Sequence, residues 1–264
     1  MSLLDYLQRD PECRSLAEGA VHAVAPLLEE PDPEPLLRTL DAWALELAAR
    51  MPLPWSLHGA LDALNHFLFH EQGLHGDCTV FGDPGGALLP RVLARRTGLP
   101  VALSILWIDV ARRLGLDAVG VALPGHFITG LRHELGVLLF DPFAEGRAVG
   151  EEEAARLVRR ATGGRVAFEP RMLDPVPHRA ILRRLVRNLH VRFLRGGELE
   201  EALWTSLHLI LLAPEEAEGY RERALVRLHR GERDDALLDL LEAARLSGGD
   251  PEVERLMREL RREA

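Results

Sequence analysis

The sequence predicts an α+β region followed by an all-α one, and three observations carry that prediction. Apolar residues recur at three- and four-residue steps over about the first seventy positions and again from about residue 176 to the end. Between 117 and 142 the apolar runs shorten and are punctuated by Pro124, Gly125 and Gly136, which suits two or three short strands. Near the C-terminus a ten-residue pattern returns after 34 residues.

Taken in order, Leu36, Leu37, Leu40, Trp43, Ala44 and Leu47 form one helical stripe in 33–51, and Leu57, Leu61, Leu64 and Leu68 form another in 56–72. The glycines and prolines of 73–90 then break the pattern, as a turn-rich segment does. The next helix opens at Pro100, where a missing N–H costs nothing, and Gly115 is its expected stop. "EEEAARLVRRAT" (151–162) is acidic at its start and basic near its end, as a helix dipole favours. Beyond "RMLDPVPH" the pattern is helical throughout. There "LRGGELEEAL" (194–203) aligns with "LHRGERDDAL" (228–237), pairing Leu194 with Leu228, Gly197 with Gly231, Ala202 with Ala236 and Leu203 with Leu237. Thirty-four residues is the tetratricopeptide period, in which stacked helix hairpins bury what one hairpin cannot. The expected division is residues 1–175 and 176–264.

Composition narrows the function. A chain of 264 residues with 47% hydrophobic content can fill real cores. A net charge of −9 argues against a general nucleic-acid or anionic-membrane partner. All 32 basic residues are Arg, which excludes Schiff-base chemistry, a phosphate-loop lysine and a lysine general base. The first residues lack the basic and apolar regions of an export signal, and the longest apolar run, "VALSILWIDV", is too short for a membrane span and carries Asp109. Cys13 and Cys78 make no disulfide framework, so a reduced, cytoplasmic protein is expected.

His126 in "VALPGHF" and Asp141 in "LLFDPF" stand fifteen positions apart, in two short strands joined by a turn. That is how a general base and its orienting carboxylate would sit. "RVLARRTGLPVALS", "VARRLGL", "GVALPGHF" and "DPFAEGR" together resemble the SirB1 family, which joins a transglutaminase-like domain to a C-terminal tetratricopeptide-like region; the match runs from about residue 35 to 250. The resemblance implies a transglutaminase-like, papain-like α+β core in which His126 and Asp141 are the counterparts of the transglutaminase His and Asp. Active relatives open their helix with G-x-C, and here that cysteine falls at Pro100, which offers neither a thiol nor an N–H for an oxyanion. Ser104 lies about 6 Å further along the axis and reads as a packing residue. Cys78, in the loop upstream, is the remaining candidate nucleophile. The expectation is a degenerate, non-catalytic bacterial pseudoenzyme that binds a protein or peptide partner as a regulatory scaffold. The alternative is an amide hydrolase or acyltransferase in which His126, oriented by Asp141, activates Cys78 or water.

Three further signals remain. His66 and His70, at i and i+4 with His75 beyond, have a spacing that can bind a metal but lack the order H-E-x-x-H; surface histidines are expected, and no metal or cofactor site. The helix of residues 178–197 carries many arginines and no acid, so Arg183, Arg187 and Arg195 are candidate docking residues, set against a solvated face balanced by the acidic repeats that follow. "EEPDPEP" (29–35) reads as a linker between helices.

Overall fold

The computed structural model describes residues 2–9, 14–51, 56–134 and 136–262, so Cys13 lies outside the described residues. Its helices are α1 (Leu3–Gln8), α2 (Leu16–Ala23), α3 (Glu34–Arg50), α4 (Leu57–Asn65), α5 (Leu89–Arg95), α6 (Pro100–Arg113), α7 (Glu151–Thr162), α8 (His178–Gly196), α9 (Leu199–Leu212), α10 (Ala217–His229), α11 (Arg233–Ser247) and α12 (Pro251–Arg262). Its strands are β1 (His75–Gly76), β2 (Thr97–Gly98), β3 (Ala118–Val121), β4 (Ile128–His133), β5 (Gly136–Asp141), β6 (Arg147–Ala148) and β7 (Pro175–Val176). The chain forms two compact units, residues 1–181 and 182–264, whose boundary falls within α8. None of the described helices is long and apolar enough to cross a membrane.

The first unit is α+β. Its antiparallel sheet has the order β6-β5-β4-β3-β7, with Thr129 opposite Phe140 and Val121 opposite Ile128. Successive side chains of a strand point to opposite faces, and the residues alternate accordingly. Val121, Ile128 and Leu139 pack with Ala154, Leu157 and Val158 of α7. On β5, Phe140 follows Leu139 and stacks on Trp107 of α6, with ring centroids 5.9 Å apart. Thus α7 covers one face of the sheet and α6 the other.

Every residue of α6 from Pro100 to Ala111 is buried, including the carboxylate Asp109. An unpaired charge there would be prohibitive. The N-terminus of α2 resolves it: Asp109 accepts hydrogen bonds from the Ser15 hydroxyl (2.8 Å) and from the backbone N–H groups of Leu16 (3.3 Å) and Ala17 (2.5 Å). Burial pushes its carboxyl up, while Arg113, 3.3 Å away, and these donors pull it back down. One side chain therefore caps a helix more than ninety residues away in sequence and pins α2 to α6.

Two features depart from the expected element list. The segment 73–90 is not only turns: two short 3-10 turns lead into α5, whose "LPRVLAR" is too brief to show a periodic stripe. The helix opened by Ser56 does not continue regularly either. From His66 to Glu71 it widens into a π-helical turn, a form common at functional sites.

The second unit is all-α, and its repetition is visible in the backbone. Gly197 and Gly231 both have positive φ, 71° and 78°, where a glycine is favoured. Around them the same hydrogen bonds recur: Glu198 N to Phe193 O and Glu232 N to Arg227 O, then Ala202 N to Glu198 O and Ala236 N to Glu232 O. Buried Ala202 and Ala236 let paired helices approach closely. Thr205 and Asp239, also 34 apart, each make a buried polar tie, the first to His190 (2.9 Å) and the second to Arg223 and Arg227.

Two predictions follow from these contacts. Asp109→Ala leaves three donors at the start of α2 without an acceptor, and should cost about 3 kcal/mol or more in urea unfolding. A loss below about 1 kcal/mol would show that the α2 cap is dispensable.

The second concerns His178, which sits against the guanidinium of Arg112. Burial first, then Arg112 and Arg14, push its pKa from the ordinary 6.5 down to about 4; burial lowers His22 as well. A histidine with a lower pKa when folded is protonated first in the unfolded chain, so its contribution is full above pH 6.5 and is lost as pH falls toward 4. Stability should drop by about 1 kcal/mol per pH unit between pH 6.5 and 5, ahead of carboxylate titration. His178→Gln should flatten that slope, and an unchanged slope would remove His178 as its cause.

Candidate functional site

The "GHF" turn is shaped by a close approach. Gly125 has φ +75°, and a Cβ there would lie 2.6 Å from the Cβ of Ala161 on α7. Any side chain at 125 would push the turn away from the helix. His126 follows, 9% exposed, with its backbone N–H on the Leu123 carbonyl (3.1 Å).

Asp141, 4% exposed, closes β5. One of its oxygens, Oδ1, accepts from the backbone N–H of Phe143 (3.0 Å) and so caps the 3-10 turn Pro142–Ala144. The other, Oδ2, lies 2.9 Å from His126 Nε2. A carboxylate only accepts, so Nε2 carries the proton and Nδ1 presents its lone pair. Hydrogen bonding to Asp141 thus fixes both the tautomer and the orientation of the ring, which is what a histidine base requires.

The turn beyond Asp141 is clamped from outside its own motif, by Asn65 and Trp107. Gly146 donates its N–H to the Asp141 carbonyl (2.9 Å), and its own carbonyl accepts from Asn65 Nδ2 (3.2 Å). In turn, Asn65 Oδ1 accepts from Trp107 Nε1 (2.8 Å), and the Trp107 ring stacks on Phe140. Asn65 is the last residue of α4 before the π turn, and only the fold brings it to the "DPFAEGR" loop. Phe143 meets the His126 ring edge-on at 6.0 Å and also packs against Phe81, which is 53% exposed. Gly76 lies so close beneath Phe143 that a Cβ would come within 2.4 Å of its ring.

The other predicted residues fall as follows. Pro100 is the first residue of α6, is buried, and its helix packs on the Pro142–Ala144 turn. Ser104, one turn on, is fully buried, and its hydroxyl has no hydrogen-bond partner among the described residues. Cys78 is exposed and opens a short 3-10 turn capped by Asp77; among the described residues its thiol makes no hydrogen bond, to His126 or to any other group. His66 and His70 lie exposed on the π turn with ring centroids 5.3 Å apart, and the His75 ring is bonded to the Gly73 carbonyl and the Thr97 hydroxyl. Within the second unit Arg183 is ion-paired with Glu216 and Glu218, and Arg187 with Glu218, so two of the three arginines expected on a docking face are engaged. Arg195 is exposed near the end of α8.

The sequence profile of the transglutaminase-like superfamily matches residues 34–187. A UPF0162 protein of Xylella fastidiosa (strain 9a5c) is 38% identical over 189 residues, 70% of this chain and 66% of that protein, just under two thirds of its length. The UPF0162 protein PA3419 of Pseudomonas aeruginosa is 33% identical over 221 residues, 84% of this chain and 80% of that protein. F-box only protein 21 of Pongo abelii is similar more distantly, at 27% over 195 residues, 69% of this chain but 30% of that protein. The superfamily match spans the α6 start, His126 and Asp141, the residues that make up the site above, and with the Pseudomonas identity it places the chain: it belongs to the transglutaminase-like superfamily and, within it, to the bacterial UPF0162 proteins.

Proposed function

We propose that this chain is a non-catalytic transglutaminase-like protein that serves in a bacterial cytoplasm as a protein-binding or regulatory scaffold, its helical unit a pair of tetratricopeptide-like repeats. The observation that carries the reading is Pro100, buried at the first position of α6, where the fold would otherwise present a thiol on a helix N-terminus. Without a thiol or an N–H at that point, the oriented His126 has nothing to deprotonate and an oxyanion loses one donor. The His126–Asp141 pair then works as a tie between the start of β4 and the end of β5. The matching turns at Gly197 and Gly231 support the repeat reading of the helical unit.

A second reading keeps the pair catalytic, with His126 as base toward Cys78 or water on an amide. The 2.9 Å contact to Asp141, which leaves Nδ1 as the acceptor, favours it.

Thiol-directed electrophiles separate the two. In the wild type, Cys78 should react at the rate of an ordinary exposed thiol, unchanged by His126→Ala; rapid labelling at neutral pH that His126→Ala abolishes would overturn the scaffold reading. Conversely, Pro100→Cys should place a thiol within the reach of His126, with labelling well above the Cys78→Ser background and dependent on His126. Equal labelling with and without His126 would show that position 100 does not face the pair.

The structural role has its own test. His126→Ala leaves the Oδ2 atom of buried Asp141 without its donor, and should lower stability by about 2 kcal/mol. His126→Gln, which retains an N–H, should recover part of that. No loss in either variant would exclude a tie.

A further inference from the structure

The helical unit turns one face of α11 outward. The buried side of that helix is made of Ala236, Leu240 and Ala243, with Asp239 held by Arg223 and Arg227. At about 100° per residue, Asp234, Leu238, Leu241 and Arg245 fall within an arc of about 60° on the opposite side. All four are exposed, Leu238 by 64% and Leu241 by 47%. A solvated helix face is ordinarily polar, and a lone surface leucine needs no explanation. These two share one stripe, and the repeat echoes them: 34 residues earlier, at the equivalent positions of α9, stand Trp204, half-buried, and Leu207, exposed.

The order of the four side chains says what would cover them. Along α11 the stripe runs acid, leucine, leucine, base, and the midpoint between residues 239 and 240 is shared by Leu238 with Leu241 and by Asp234 with Arg245. Such a stripe is complementary to its own reverse. Laid antiparallel on a second copy, Leu238 meets the partner's Leu241, and about 8 Å along the helix from the midpoint Asp234 meets the partner's Arg245. Laid parallel and in register, the same stripe would oppose acid to acid and base to base, which repel. Arg245 lies on Glu242 of its own helix (2.6 Å), and a guanidinium with five N–H donors has donors left for a second carboxylate. Antiparallel helix dipoles add to the same preference.

We propose that this chain associates with a second copy of itself through α11, antiparallel about a two-fold axis between residues 239 and 240. Leu238 and Leu241 form the apolar centre of the contact, and an Asp234–Arg245 pair closes it at either end. One helix pair buries less than the roughly 1,200 Å² at which stable interfaces begin, so the association is weak, with a dissociation constant on the order of 100 μM. The contact uses no atom of the His126 pair and holds whichever way that pair is read.

Sedimentation velocity of the full chain tests this, run from about 5 to about 500 μM with reductant present so that Cys78 forms no disulfide. The wild type should pass from monomer to dimer across that range and no further, because a two-fold contact closes on itself. Leu238→Asn with Leu241→Asn should stay monomeric throughout. Asp234→Arg alone and Arg245→Asp alone should each weaken association by about tenfold, since each opposes like charges twice in one dimer. The two reversals combined in one chain restore the complement and should recover most of the wild-type affinity. Recovery cannot come from misfolding, so this cycle tests the register even where a single change disturbs the helix. A wild type that stays monomeric at the top of the range would leave the face to a different protein and overturn the proposal. Association that survives the asparagine changes, or a double reversal no better than either single one, would overturn it as well.

Discussion

A helix with no exposed face can exist only if the rest of the molecule is built around it, and α6 is such a helix. It spans twelve consecutive buried residues, and each neighbour of the first unit meets it: α2, α3, α5 and one face of the sheet. Burial on all sides demands side chains that are apolar or small, which "VALSILWI" with its one serine supplies, and a partner for any charged exception. Asp109 is that exception, and because its donors belong to the start of α2, the helix that could least tolerate a charge is also the one that fixes the first segment of the chain.

The same rigidity bears on the site. Trp107, one face of α6, holds Phe140 by stacking and Asn65 by a hydrogen bond, and Asn65 holds the turn that follows Asp141. The His126–Asp141 geometry is therefore held from the centre of the unit as well as by the hairpin that carries it. A pair so constrained keeps its arrangement whether or not chemistry is asked of it, so an oriented histidine and a helix that opens on a proline can coexist in one fold.

Much of this was legible in the sequence where a local rule governs it. The stripes of α3 and α4 and the 34-residue return follow from periodicity, the two or three strands between 117 and 142 from short apolar runs broken by Pro and Gly, and the proximity of His126 to Asp141 from their places on adjoining strands. What stayed hidden depends on partners distant along the chain. The acidic repeats after α8 were legible as a counterweight to its arginines, but that Glu216 and Glu218 are the residues that meet Arg183 and Arg187 was not. Asn65 looks like an ordinary helical residue until the "DPFAEGR" loop arrives beside it, and α5 is too short to show a period. The acidic loop before α3 has the composition of a connector, and nothing in composition tells that it lines a hollow against α5.

The contact of Gly125 with Ala161 reaches further than the turn it shapes. A carbon added at position 125 would meet Ala161 near the end of α7, so the turn before His126 accepts a side chain only by leaving that helix. A descendant that gained any side chain at position 125 would have to rebuild the approach of this turn to α7, a helix that contributes no side chain to the site, before it could seat an imidazole in the same place.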